Sequence, residues 1–93
     1  MGTGLTIYRE IGDRNGEVGA LCNLGIAYDS LGQFDRAIEF YEQSLVISRE
    51  IVDRDGETAS LGNSGLAYKS LGQYDKAIEF HQQSLKISRE IAG

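Results

Sequence analysis

The chain has 93 residues and a mass of 10.2 kDa, room for one small core and no second domain. With 41% hydrophobic and 25% charged residues it has ordinary globular composition, which excludes a disordered segment. Nine basic against fourteen acidic side chains leave a formal charge of −5, a sign that opposes nucleic-acid phosphate and anionic lipid as partners. No apolar run approaches the ~20 residues of a membrane span, and the opening MGTGLTIYRE lacks the features of a secretory signal. The single cysteine, Cys22, has no internal disulfide partner and fits a reducing compartment. A soluble cytoplasmic protein is expected.

An internal repeat dominates the sequence. Residues 5–44 (LTIYREIGDRNGEVGALCNLGIAYDSLGQFDRAIEFYEQS) and 45–84 (LVISREIVDRDGETASLGNSGLAYKSLGQYDKAIEFHQQS) are identical at 25 of 40 positions without a gap. Residues 85–92 restart the unit and match 45–52 at 6 of 8 positions.

In chain order, residues 5–13 predict a short leading helix. A first full helix is predicted over 16–31, where Val18, Leu21, Leu24, Gly25, Tyr28 and Leu31 recur at steps of three and four. Asn15 stands before it as the expected N-cap, with Glu17 in the first turn and Gly32 at the left-handed stop. The stripe Phe34, Ala37, Ile38, Tyr41 and Leu45 predicts a second helix over 34–53, with Phe40, Ile47 and Ile51 on an adjacent flank. Two apolar flanks suit a helix packed on its own partner and on the next unit. Helices over 56–71 and 74–91 repeat the pair, with Asp55 as the expected cap and Gly72 as the stop. Gly25 and Gly65 sit inside helices, where each costs ~1 kcal/mol against alanine, so a close helix–helix approach is expected there.

Leu21, Leu24-Gly25, Tyr28, Gly32, Phe34, Ala37 and Tyr41, with Leu61, Gly65, Tyr68, Gly72, Tyr74 and Ala77 in the second copy, resemble the tetratricopeptide repeat. Leu21 and Leu61 replace the signature Trp, Ser64 replaces a Leu, the closing Pro is missing, and the period is 40 rather than about 34 residues. The longer period is similar to repeats of the G-protein signalling modulators of spindle orientation, kinesin light chains and bacterial signalling arrays. The resemblance implies an all-α solenoid of antiparallel helix pairs, a right-handed superhelix with two units and a partial leading helix. It divides a single domain, 1–93, into the end of a preceding second helix (5–14), repeat 1 (15–54) and repeat 2 (55–93).

The resemblance also implies a concave wall of first helices that holds a peptide or partner protein, without catalysis, cofactor or metal. The face opposite the core stripe carries Gly19, Cys22, Asn23, Ile26, Asp29 and Ser30, then Ala59, Gly62, Asn63, Leu66, Lys69 and Ser70. Of these, Asn23, Ile26, Asp29, Ser30, Asn63, Leu66, Lys69 and Ser70 are the candidate peptide-binding residues. An amide offers both donor and acceptor and pairs with a peptide bond whatever the side chain. The alternative is that Asn23 and Asn63 bond their own loops or water.

His81 takes the place of Tyr41 and is expected to pack, since it has no companion ligand or nucleophile at a useful spacing. Asp13, Glu17, Asp53, Asp55 and Glu57 are expected to cap and solvate the turns, and Arg49 and Glu50 to lie on a solvated face. Leu5, Ile7 and Ile11 match Leu45, Ile47 and Ile51, and Ile78, Leu85, Ile87 and Ile91 keep the internal pattern at the other end. Solenoids need about three units or capping helices. The chain is therefore expected to be an excerpt of a longer array, or to form a homo-oligomer through its terminal helices. Two functions follow: a protein-interaction scaffold, or a purely architectural fragment that stacks or self-associates without a ligand of its own.

Overall fold

The computed structural model describes residues 13–92, which form four helices: α1 (Arg14–Ser30), α2 (Phe34–Glu50), α3 (Arg54–Ser70) and α4 (Tyr74–Ala92). The described chain is all-α, as expected, and successive helices pack as pairs, α1 on α2 and α3 on α4, with α3 also lying on α2. Residues 5–12 of the expected leading helix lie outside the described residues.

The first helices begin two residues earlier than expected. Asp13 and Asp53, not Asn15 and Asp55, are the N-caps, accepting from the backbone N–H of Gly16 at 2.9 Å and Gly56 at 3.0 Å. A carboxylate satisfies an orphan donor and suits the helix dipole at once. Gly32 and Gly72 terminate α1 and α3 with φ of +77° and +78°. The N–H of Gln33 and Gln73 then reach back to the carbonyls of Tyr28 and Tyr68 at 2.9 Å, closing the left-handed stop that the glycines permit.

Helix α2 ends at Glu50 rather than 53, because Val52 adopts the same left-handed stop with φ 57°. Asp53 N–H bonds the Ser48 carbonyl at 2.7 Å across this stop. A β-branched residue there is strained by about 1–2 kcal/mol. Gly12 holds the equivalent sequence position one unit earlier.

The two helices of a pair meet where the sequence has glycine. A Cβ at Gly25 would stand 2.4 Å from Cε1 of Tyr41, so the ring lies directly on the α1 backbone. Tyr28 stacks on Phe40 with ring centroids 5.3 Å apart, and Tyr68 on Phe80 at 5.2 Å. Arg36 and Lys76 cover the Tyr28 and Tyr68 rings at 5.5 and 5.1 Å. On the other flank of α2, Ile38 and Tyr41 cluster with Ala67 and Tyr68, and Leu45 with Leu61 and Ile87. Helix α2 is thus buried from two sides.

Gly25→Ala should cost about 1–3 kcal/mol in urea unfolding followed by circular dichroism, since the buried Tyr41 ring has nowhere to go. Gly65→Ala should cost clearly less, because its close neighbour His81 is exposed and can swing away. Equal losses would contradict this packing. By the same measurement Val52→Gly should stabilise the chain by about 0.5–1 kcal/mol, relief of strain outweighing added chain entropy. Val52 is 74% exposed, so little burial is lost with it.

Candidate functional site

The backbone of α1 comes close to that of α3, whereas the backbones of α2 and α4 stay further apart. The first helices therefore approach one another more closely than the second helices do. Asn23, Ile26 and Ser30 are exposed on α1, and Leu66, Lys69 and Ser70 on α3, with Asn63 half-buried. Ile26 and Leu66 hold 46% and 52% of their surface in solvent. Neither asparagine amide is used in a hydrogen bond within the described residues. Ser70 donates to the Leu66 carbonyl of its own helix at 3.2 Å. Gly19 has open space around its Cβ direction, and Gly62 has only Ser84 Oγ at 3.8 Å.

Asp29 lies at the margin of this ridge, half-buried, with its charge facing the Tyr41 phenol. Burial first, then the Asp29 charge, pushes the Tyr41 phenol up to about 12. Burial and then the charge of Glu42 likewise push Tyr68 upward. In the second unit Lys69 and His81 replace Asp29 and Tyr41. His81 packs on Gly65 as expected of a packing residue, yet its side chain is exposed.

Cys22 does not belong to the ridge. It turns into the seam between α1, α2 and α3, with Sγ 3.2 Å from Ser44 Oγ and 3.6 Å from Ser60 Oγ. Its helical angle lies between ridge and core stripe, which points it at the next first helix. Ser60 donates to Ser44 Oγ at 2.9 Å, Ser44 donates to the Val18 carbonyl at 3.3 Å, and Ser48 donates to the Ser44 carbonyl at 2.8 Å. Ser84 repeats the second of these bonds, donating to the Thr58 carbonyl at 3.2 Å.

The turn carboxylates also depart from expectation. Glu17 and Glu57 are buried, 1% and 7% exposed, rather than solvated. Glu57 receives Arg49 from α2 at 3.0 Å and Arg54 from its own helix at 3.2 Å, while Arg54 also pairs with Glu90. Arg14 pairs with Glu17 and Glu50, both at 2.8 Å. Each arginine is about half exposed, so each pair contributes ~1 kcal/mol at most. Arg49, Arg54 and Glu57 thus form an ionic clasp where α2 meets α3. The sequence signal for it was the exact recurrence of Arg14/Arg54, Glu17/Glu57 and Glu50/Glu90 in both copies.

The family model for the tetratricopeptide repeat matches residues 19–90. The chain belongs to the tetratricopeptide repeat family. Tetratricopeptide repeats are in general protein–protein interaction modules and typically non-catalytic scaffolds. A search of curated proteins gives no significant match. No described helix is long and apolar enough to cross a membrane.

The raised Tyr41 phenol gives a pH signature. An unfolded tyrosine loses its proton near 10, before the folded one at about 12, so the stability it confers is intact below pH 10 and lost as pH rises towards 12. The urea midpoint of the wild type should fall over that window, and Tyr41→Phe should fall less steeply. Parallel declines of the two proteins would show that Tyr41 is not the group responsible.

Proposed function

We propose that this tetratricopeptide repeat chain is a scaffold that grips a peptide or partner protein along the concave ridge of α1 and α3, without cofactor or metal. The observation that carries the reading is the pair Asn23 and Asn63, one repeat apart, with amides unspent within the described residues. Each can donate to a carbonyl and accept from an N–H of an extended segment, which holds the partner's backbone independently of its side chains. Ile26 and Leu66 supply apolar contact at the same spacing, and burying their exposed surface contributes at ~25 cal/mol per Å². Gly19, Ala59 and Gly62 leave the ridge low enough for a chain to approach. Ser30 and Ser70 border it, and Asp29 and Lys69 place opposite charges at its margin.

Selection of binders from a displayed random-peptide library, followed by calorimetric titration of the selected peptides, tests this. Asn23→Ala with Asn63→Ala should weaken binding at least tenfold at unchanged helicity, as expected for two charge-neutral hydrogen bonds of ~1 kcal/mol each. Affinity indifferent to the double substitution, or a library that yields no binder, favours the purely architectural role.

A further inference from the structure

Asp29 stands where the fold gives a carboxylate nothing. It lies in the last turn of α1, beside the carbonyls that make a helix C-terminus negative, and no basic residue shares that turn. It faces the buried Tyr41 phenol rather than a cation. Among the described residues the ion pairs run through Glu17, Glu50, Glu57 and Glu90, and none reaches Asp29. The second copy shows that the repeat does not require an acid here. Lys69 takes the place, in the last turn of α3, where a cation suits the dipole.

The surroundings of Asp29 define what can meet it. Cys22, two turns earlier on the same face of α1, lies 3.6 Å from Ser60 of α3, so this face turns toward α3. Asn63, one turn on from Ser60, is half-buried where its counterpart Asn23 is exposed. Asp29 and Asn63 thus border the furrow between the two first helices, with the exposed Ile26 and Leu66 at intermediate height. From the level of the asparagines to that of Asp29 is about 9 Å along the helix axis.

Resting on the groove reading above, we propose that the bound peptide is held at Asp29 by the cationic head of a lysine or arginine. A backbone anchored by Asn23 and Asn63 passes at a distance from Asp29 that only a long side chain bridges. Its aliphatic stem lies over Ile26 and Leu66 while the head stays in water. Asp29 is partly exposed, so the pair forms without the desolvation that a fully buried acid would suffer. Lys69, level with Asp29 on α3, repels a second cation. The ligand therefore carries one basic residue over α1 and none over α3, which sets the direction in which it crosses the ridge.

Selection from a displayed random-peptide library on the full chain, repeated with Asp29→Asn and Asp29→Lys, tests this. Peptides selected by the wild type should share a lysine or arginine at one position. Those selected by Asp29→Asn should not, and those selected by Asp29→Lys should carry an acid there. In calorimetric titration Asp29→Asn should weaken the tightest wild-type peptide about fivefold at about 0.1 M salt, and much less at about 1 M. It should leave unchanged the affinity for the same peptide with methionine in place of the basic residue. Selected peptides without a shared basic position overturn the proposal, as does an equal loss for both peptides. Affinity that depends on Asp29 but not on Asn23 and Asn63 supports the cation contact and removes the asparagine anchors, and dependence on the asparagines alone does the reverse. A library without binders overturns both.

Discussion

Burial of a second helix by the first helix of the next unit is the constraint on which this structure depends. Helices α2 and α4 carry nearly the same sequence, and both pack one flank against a first helix of their own pair. Among the described residues, α2 is the second helix that is followed by a further unit. The consequence is direct: Tyr41 is 1% exposed while its counterpart His81 is open, and Ile38 is 6% exposed against 55% for Ile78. Each apolar side chain left in water forgoes ~1.5–3 kcal/mol. Stability in such an array is a property of joints rather than of single hairpins.

Apolar contact alone would let α3 slide along α2. The polar groups at the joint set the register. Ser60, Ser44 and Cys22 interlock three helices at one point, and Glu57 gathers Arg49 and Arg54 at another. Buried hydroxyls that meet only in one alignment penalise every other alignment by leaving polar atoms unpaired. On the first-helix side, Asn23, Ile26 and Leu66 stay exposed.

Much of the fold was legible in the sequence because repetition separates constraint from accident. Gly32 and Gly72 recur because a left-handed stop favours glycine, and Gly25 and Gly65 because a ring lies on the backbone there. The helix starts were misplaced because Asp13 and Asn15 are both good caps by residue type, and only backbone geometry separates them. Glu17 and Glu57 look like surface charges, since burial of a carboxylate depends on arginines that reach it from another helix. Serines 44, 48 and 60 carry no distinctive periodic signal and became visible only as a network. Cys22 lies on the helix between ridge and core stripe, and only the position of the neighbouring Ser44 hydroxyl shows that it belongs to the seam. Among the candidate site residues, Ser70 bonds its own helix, while the asparagine amides make no hydrogen bond within the described residues.

Residue-resolved hydrogen exchange of the dilute chain tests the central claim most directly, because it compares two helices of almost equal sequence that differ in cover. Amides of α2 around Ile38, Tyr41 and Leu45 should exchange markedly more slowly than those of α4 around Ile78, His81 and Leu85. Equal protection of the two helices, or slower exchange in α4, would contradict the account.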